Sequence, residues 1–304
     1  MRYRPLGRTG LTVSEIGFGC ASYWGLARFD ESQALGLVHR ALDLGVTLFD
    51  TAPGYSRGEA EPRLGRALKG RDTANLVIAT KAGTFHAGGG RTGRDFSSAA
   101  ITASVEASLK RLGLERLSLV QLHGPGVGEL TDDLFEALER LRARGLVAAF
   151  GANSFDAEVI GAVIAAPVFD VVMLDYNVLR PERGPLIAQA ARMGKGVLAG
   201  MPLAMGHVDG QIRKVRGLRD LWYAARALKN HRAEVVAAER FSFLRQIEGM
   251  SAAQASLAYV LENPGVSAAV TGTTRRAHLE ANAAASGMVL PDQVRARLRA
   301  AQGG

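Results

Sequence analysis

NLVIATK (residues 75–81), SSAAITASVEASLKRLG (97–113) and LSLVQLH (117–123) decide the fold class of this chain. The outer two segments are short apolar runs with the length of buried strands, and the middle one has the apolar spacing of an amphipathic helix. The helical pattern ends at Gly113, the residue type favoured just beyond a helix C-terminus. A strand, a crossover helix and a second strand in this order predict two parallel, neighbouring strands.

The same alternation continues in both directions along the chain. Eight strands separated by helical segments fit a closed barrel better than an open doubly wound sheet. In addition, GFGCAS after the first strand lacks the third glycine of the dinucleotide-binding fingerprint of open sheets. We therefore predict an α/β fold, a (β/α)8 TIM barrel, in which residues 1–304 form a single domain. The predicted strands span residues 13–20, 46–52, 75–81, 117–123, 146–154, 169–177, 196–200 and 266–272.

Two segments depart from this regular pattern. The first fifteen residues, with a Thr9–Gly10 turn, predict an N-terminal β-hairpin that closes the bottom of the barrel. After strand 7, residues 207–246 are too many for one crossover, and they predict a long insertion that contains Trp222 and Tyr223. Long insertions in barrels usually contact the substrate or another subunit.

The composition is that of an ordinary globular protein, with 47% hydrophobic and 22% charged residues. The formal net charge of +8 comes largely from arginines spread along helices beside acids, so we expect a solvated surface and no nucleic-acid partner. The one cysteine, Cys20, lies in an apolar run and predicts a buried thiol in a protein of the reducing cytoplasm. No apolar stretch reaches the length of a membrane span, so no membrane partner is expected, and a homo-oligomer is left open.

Three ionisable residues, Asp50, Lys81 and His123, lie at the carboxyl ends of predicted strands. These ends meet at one face of a barrel, where barrel enzymes have their sites, and Tyr55 follows Asp50 in a short loop. Taken alone, Asp50 could cap a helix and His123 could be a core histidine. A lysine that ends the apolar run LVIAT is costly to bury without a partner, so we interpret the four residues as a catalytic site.

The residue types in this group suit the reduction of a carbonyl. A carbonyl that accepts hydride develops alkoxide character and needs a proton. Tyr55 can donate that proton, and the ammonium of Lys81 should lower the pKa of the phenol from its ordinary value of about 10. Asp50 would keep Lys81 charged and in place, while His123 would orient the substrate oxygen. No His/Cys cluster suggests a metal, and none is expected.

The sequence resembles the aldo-keto reductase superfamily over nearly its whole length. The resemblance rests on YRPLGRTGLTVSEIGFGC (3–20), LFDTAPGYSRGEAEPRLGRALKG (48–70), IATKAG (78–83) and QLHGP (121–125), followed in order by FGANSF, PLAMG and TGTTRRAHLEAN. It implies a TIM barrel, NADPH or NADH as cofactor, and a catalytic tetrad. In that tetrad Tyr55 is the proton donor, Lys81 and Asp50 tune its pKa, and His123 orients the substrate.

The resemblance also implies residues that hold the nicotinamide. Asn153 and Ser154 carry the polar groups of the family's Ser-Asn pair in reversed order, and Met173 stands where a glutamine is usual. Gly200 replaces a flat side chain that is often stacked on the nicotinamide, and Tyr176 is a candidate to fill that gap.

The adenosine end of the cofactor is expected at TGTTRR. Two guanidinium groups there, those of Arg275 and Arg276, favour NADPH over NADH because arginine can bind a 2′-phosphate in a bidentate manner. The complete set of implied cofactor-binding residues is Asn153, Ser154, Met173, Gly200, Pro202, Leu203, Gly272, Thr273, Thr274, Arg275, Arg276, His278 and Asn282.

Aromatic residues after the first and third strands, Tyr23, Trp24 and Phe85, are expected to line the substrate pocket, and Trp222 is a further candidate. The sequence thus predicts an NADPH-dependent reductase of an aldehyde or ketone, with a sugar or other polyhydroxylated carbonyl as candidate substrate. Three alternatives stay open: a sugar dehydrogenase working in the oxidative direction, a cofactor-bound regulatory or redox-sensing subunit, and a barrel isomerase or aldolase that forms a Schiff base at Lys81.

Overall fold

The apolar runs pair edge to edge as eight parallel strands, and the last strand pairs with the first to close a barrel. The structure, a computed structural model, describes residues 1–27, 29–88, 91–206, 208 and 236–303. The strands in these residues are β1 (Tyr3–Pro5), β2 (Thr12–Ser14), β3 (Ile16–Gly19), β4 (Leu48–Asp50), β5 (Val77–Ala82), β6 (Thr84–His86), β7 (Thr92–Arg94), β8 (Leu117–His123), β9 (Val147–Asn153), β10 (Val171–Asp175), β11 (Gly196–Gly200) and β12 (Ala268–Thr271). The barrel order is β3-β4-β5-β8-β9-β10-β11-β12, which confirms the predicted TIM barrel.

Helices surround the barrel, and polar side chains cap several of their starts. In the described residues they are α1 (Glu31–Asp43), α2 (Ala60–Leu68), α3 (Ser98–Leu112), α4 (Asp132–Ala143), α5 (Ala157–Ala165), α6 (Gly184–Arg192), α7 (Ala252–Glu262), α8 (Arg276–Ala284) and α9 (Asp292–Gly303). Asp30, Ser97 and Thr131 accept hydrogen bonds from backbone N–H groups in the first turns of α1, α3 and α4. Gly113 ends α3 in the left-handed conformation, with φ of 68°.

The predicted N-terminal hairpin is present as the antiparallel pair β1–β2. Its residues Leu6 and Val13 are fully buried in the same apolar cluster as the barrel interior, so the hairpin closes the amino-terminal end of the barrel. Gly7 makes this contact possible: its φ is +58°, and a Cβ built there would lie 2.2 Å from the backbone nitrogen of Gly196.

The interior of the barrel changes from apolar to polar along the strands. Leu48, Ala79 and Leu119 belong to the buried interior cluster. Because side chains alternate between the two faces of a strand, the interior positions two residues further along include Asp50 and Lys81. The polar groups therefore lie at the carboxyl end of the barrel, opposite the hairpin.

The connection from β11 to β12 is long, as predicted. Its described part contains a 3-10 helix, Glu239–Gln246, and α7, which pack with Val178, Ala204 and Leu290 into a separate apolar cluster. Most of the predicted insertion, including Trp222 and Tyr223, lies outside the described residues. Among the described helices, none is both long and apolar enough to cross a membrane.

Candidate active site

A buried ion pair stands at the centre of the carboxyl end of the barrel. Lys81 Nζ donates to Asp50 Oδ2 at 2.6 Å and to the carbonyl oxygen of Thr51 at 3.0 Å. Lys81 is 1% exposed and Asp50 is 3% exposed. Two acceptors therefore compensate an ammonium that would be costly to bury alone.

The other carboxylate oxygen of Asp50 is held by a residue that the sequence analysis missed. Gln121 Nε2 donates to Asp50 Oδ1 at 3.1 Å, and Gln121 is fully buried. Its Oε1 has no hydrogen-bond partner in the described part of the chain. The alternation of LVQLH could have revealed it, because Gln121 is two residues before His123 and so faces the same side of β8.

Tyr55 lies over the ammonium of this ion pair. Lys81 Nζ lies 4.9 Å from the centroid of the phenol ring. The same ring meets the imidazole of His123 edge to face, with centroids 5.6 Å apart. The two residues after Tyr55 are Ser56 and Arg57, and they adopt left-handed backbone angles with φ of 56° and 64°. This conformation is unfavourable for residues other than glycine, and it turns the chain directly after Tyr55.

The electrostatics of Tyr55 differ from the simple expectation. Burial raises the pKa of the Tyr55 phenol, the charge of Lys81 lowers it, and the charge of Asp50 raises it, so the pKa stays above its ordinary value. Burial lowers the pKa of Lys81, but Asp50 and Tyr55 outweigh that effect and leave it raised. Lys81 thus favours the phenolate as predicted, yet Asp50 opposes that effect on Tyr55 while stabilising the ammonium.

His123 lies beside the phenol as a neutral group. Burial, then the positive charges of Lys81 and Arg94, lower the pKa of His123 from 6.5 to about 4. Its Nδ1 is 2.6 Å from the hydroxyl oxygen of Thr84, the first residue of β6. The structure therefore brings the four predicted catalytic residues together, while their catalytic roles stay a prediction.

The residues implied for the nicotinamide lie around the same end of the barrel. Asn153 ends β9 next to His123 and Met173 in the strand register. The backbone N–H of Ser154 donates to the carbonyl of Met173, and its hydroxyl accepts from the backbone of Asp156. Gly200 ends β11, and a Cβ there would lie 3.2 Å from Met173 Cε, so Met173 occupies the space beside the glycine.

The suggestion that Tyr176 fills the gap at Gly200 is not supported. Tyr176 is buried in the layer between barrel and helices and packs against Tyr259 of α7, with centroids 5.6 Å apart and the rings tilted by 31°. Pro202 is buried and Leu203 half-buried, in the turn that follows β11.

The TGTTRR segment forms a narrow turn between β12 and α8. Gly272 is exposed, and a Cβ there would lie 3.1 Å from the carbonyl oxygen of Gly19. Thr273 Oγ1 accepts from the backbone N–H of Arg275, and no side chain caps the first turn of α8. Thr274 and His278 are half-buried, and Asn282 is buried.

The two arginines of this segment differ in their surroundings. Arg276 Nε donates to Glu280 at 3.0 Å, and the same carboxylate accepts from Arg40 at 2.8 Å. Arg275 is exposed and makes no side-chain hydrogen bond or ion pair within the described residues. The two guanidinium groups are therefore not equivalent candidates for a phosphate.

The aromatic residues that were expected to line the substrate pocket differ in their exposure to solvent. Trp24 is 1% exposed, donates its indole N–H to the carbonyl of Ala34 and meets Phe18 edge to face. This is a core position, so the expectation that Trp24 lines an open pocket is not supported. Phe85 is 46% exposed and packs on Gly93 in the β6–β7 hairpin near the Tyr55 loop. The side chain of Tyr23 and all of Trp222 lie outside the described residues.

Fold and site together define a barrel oxidoreductase. Residues 15–302 match the Aldo/keto reductase family, so the chain belongs to the aldo-keto reductases, oxidoreductases that use nicotinamide cofactors and act on small carbonyl or alcohol substrates. A solved structure of aldo-keto reductase AKR11C1 from Bacillus halodurans, in its holo form, superposes with a TM-score of 0.81 at 28% identity. The superposition covers 99% of this chain and 96% of that chain.

Relatives of known sequence extend the comparison. The chain is 30% identical over 290 residues to the uncharacterized oxidoreductase YqkF of Bacillus subtilis, covering 93% of this chain and 90% of the relative. It is 27% identical to a probable voltage-gated potassium channel subunit beta of Arabidopsis thaliana, with coverage of 93% and 90%. It is also 27% identical to D-threo-aldose 1-dehydrogenase of a Pseudomonas species, with coverage of 96% and 95%.

Proposed function

We propose that this chain is an NADPH-dependent reductase of an aldehyde or ketone, with Tyr55 as the proton donor. One observation carries the proposal. The Lys81–Asp50 ion pair lies against the Tyr55 ring, with the neutral His123 in edge-to-face contact with the same ring. A buried cation beside a phenol is an arrangement that stabilises negative charge on the phenol oxygen when the proton leaves.

Each side chain then has one task. Tyr55 donates its proton to the oxygen of the reduced carbonyl, and Lys81 stabilises the phenolate that remains. Asp50 keeps Lys81 charged, and Gln121 keeps Asp50 in place through its second oxygen. His123, uncharged at neutral pH, donates a hydrogen bond to the substrate oxygen and directs it toward Tyr55. The nicotinamide, when bound, supplies the hydride to the carbonyl carbon.

The residues present fit a dinucleotide. Gly272 lies in an exposed turn, and no side chain caps the start of α8, so the helix N-terminus is of the kind that can bind a phosphate. Asn153 and Ser154 at the end of β9 would hold the nicotinamide amide, and Asn282 would contact the adenine. Met173 offers no hydrogen bond where the family usually has glutamine, so we assign it to packing alone.

The proton-donor role is tested by Tyr55→Phe, with 4-nitrobenzaldehyde as substrate. We expect turnover to fall by about two to four orders of magnitude, the scale of general acid catalysis, and cofactor affinity to stay nearly unchanged. Tyr3→Phe is the matched control, because Tyr3 is exposed on the N-terminal hairpin and donates only to the carbonyl of Gly45. The role is falsified if Tyr55→Phe keeps more than about a third of wild-type turnover while hydride transfer limits the rate.

A polyhydroxylated substrate is favoured by the similarity to D-threo-aldose 1-dehydrogenase. The same assay with a panel of sugars and simple aldehydes, run in both directions, checks this choice and the oxidative alternative. The similarity to a potassium channel subunit beta keeps a regulatory role as the second candidate. A chain that binds the cofactor tightly but turns over no carbonyl or alcohol of the panel would support that second role.

A further inference from the structure

The β6–β7 hairpin places a hydroxyl beside the imidazole of His123. Gly83 turns the chain between β5 and β6 with φ of +93°, and a Cβ there would lie 2.2 Å from the ring of Phe96. This sharp turn leaves the half-buried Thr84 with its Oγ1 2.6 Å from His123 Nδ1. Thr84 Oγ1 makes no other hydrogen bond within the described residues.

The contact admits two arrangements of protons on a neutral imidazole, which has one N–H donor and one bare acceptor nitrogen. In the first, the Thr84 hydroxyl donates to Nδ1, and the ring proton is on Nε2. In the second, Nδ1–H donates to the Thr84 oxygen, and Nε2 carries no proton. A doubly protonated ring is disfavoured at neutral pH, because burial and the charges of Lys81 and Arg94 keep the pKa of His123 near 4.

The two arrangements differ in what His123 can offer a substrate. A carbonyl or alkoxide oxygen is an acceptor, so only a ring with Nε2–H can bind it by a hydrogen bond. A bare Nε2 would face that oxygen with its own lone pair and repel it. The first arrangement also gives the Thr84 hydroxyl proton an acceptor in a partly buried place, where an unpaired donor is unfavourable.

We propose that Thr84 is a positioning residue: its hydroxyl donates to His123 Nδ1 and thereby holds the ring in the Nε2–H form. The effect on turnover rests on the proposed reductase function, whereas the position of the ring proton does not. Thr84 itself need not touch the substrate.

The test combines ¹⁵N NMR of the histidine rings with kinetics on three variants. Thr84→Val keeps the shape of the side chain and removes the hydroxyl, and Thr84→Ser restores the hydroxyl. Thr92→Val is the matched control, because Thr92 is exposed on the opposite strand of the same hairpin. The signals of His123 are assigned by their loss in His123→Gln.

In the wild type and in Thr84→Ser we expect Nδ1 to be unprotonated and Nε2 to be protonated. In Thr84→Val we expect a mixture of the two forms, and kcat/KM should fall in proportion to the remaining fraction of the Nε2–H form, by about tenfold if that fraction is about a tenth. Thr92→Val should match the wild type in both measurements. Because the spectra are recorded without substrate, they report on His123 even if no carbonyl is turned over, so the two proposals fail separately.

Protonated Nδ1 in the wild type would overturn the proposal at once. So would a Thr84→Val protein whose His123 signals and kcat/KM equal those of the wild type. If Thr84→Val does not fold, Thr84→Ala is used in its place. In either case, the protonation state of Nδ1 in the wild type decides whether the proposal holds.

Discussion

The charge state of Lys81 distinguishes a carbonyl reductase from an isomerase or aldolase that forms a Schiff base. A Schiff base requires a neutral amine, which enzymes obtain by desolvating a lysine or placing it beside another cation. Burial does act to lower the pKa of Lys81, but Asp50 and Tyr55 outweigh it and hold the amine protonated. The arrangement therefore suits a permanent cation beside a phenol and argues against a Schiff-base isomerase or aldolase.

His123 should make the stability of the protein depend on pH in a defined window. Its folded-state pKa of about 4 is below the unfolded value of about 6.5, so the unfolded chain binds the extra proton first. The stability linked to this group is therefore fully present above pH 6.5 and is lost as pH falls toward 4. We expect the free energy of unfolding of the wild type, relative to His123→Gln, to drop by about 2 to 3 kcal/mol between pH 7 and pH 4. Urea unfolding at several pH values measures the difference in free energy of unfolding between the two proteins. If that difference does not change between pH 7 and pH 4, the pKa of His123 is not lowered.

Some residues of the site can be predicted from sequence patterns, and others cannot. Asp50, Lys81 and His123 could be predicted because each ends a strand, and a closed parallel barrel brings such ends together. Thr84 could not be predicted as part of the site, because its contact with His123 depends on a hairpin that interrupts the connection from β5 to α3. The buried position of Trp24 could not be predicted either, because proximity in sequence to a strand end does not determine which way a 3-10 turn directs its ring.

At the scale of elements, two glycines should respond in opposite directions to alanine. Gly113 ends α3 at φ of 68°, with no atom near a built Cβ, so Gly113→Ala should lower stability by about 1 kcal/mol through backbone conformation alone. Gly36 lies exposed inside α1, also with free space around a built Cβ, so Gly36→Ala should raise stability by about 0.5 to 1 kcal/mol. Urea unfolding measures both. Effects of the same sign would contradict this account of the two helices.

The start of α8 should determine cofactor preference, and the two arginines there serve as a matched pair. Arg275→Ala should weaken NADPH binding by about tenfold, or 1.4 kcal/mol, because the exposed guanidinium is available to a 2′-phosphate. Arg276→Ala should have a smaller effect, because Arg276 is already paired with Glu280. Fluorescence titration with NADPH and NADH measures both variants. An equal loss of NADH affinity would show that Arg275 supports the turn and does not recognise the phosphate.

The barrel elements were predictable because their apolar runs are long enough to show a period. The β6–β7 hairpin and the left-handed turn at Ser56 and Arg57 could not be predicted. The hairpin strands have three residues each, too few to show a period, and the turn residues adopt a conformation that serine and arginine do not favour. These irregular elements bring Thr84 to His123 and set Tyr55 against Lys81. The parts of the chain with the weakest sequence signal thus complete the site.

At the scale of the whole molecule, the N-terminal hairpin is joined to the loop between α8 and α9 at the closed end of the barrel. The carboxylate of the buried Glu15 accepts from Arg4 of the first hairpin, and from the Ser286 hydroxyl and the Gly287 backbone after α8. This leaves the opposite end, with its polar interior, as the face where chemistry is expected. The interpretation of residues 1–304 as one domain stays a prediction.

The most direct measurement of the central claim follows the transferred hydrogen. Purified protein is given 4-nitrobenzaldehyde and NADPH that carries deuterium at its transferable position, and the product alcohol is analysed by mass spectrometry. If the Tyr55–Lys81–Asp50–His123 group is the site of a carbonyl reductase, the alcohol carries one deuterium on the former carbonyl carbon, while the hydroxyl proton comes from solvent through Tyr55. An alcohol without deuterium at that carbon, or no alcohol from any carbonyl of the panel while the cofactor is bound, would contradict the account.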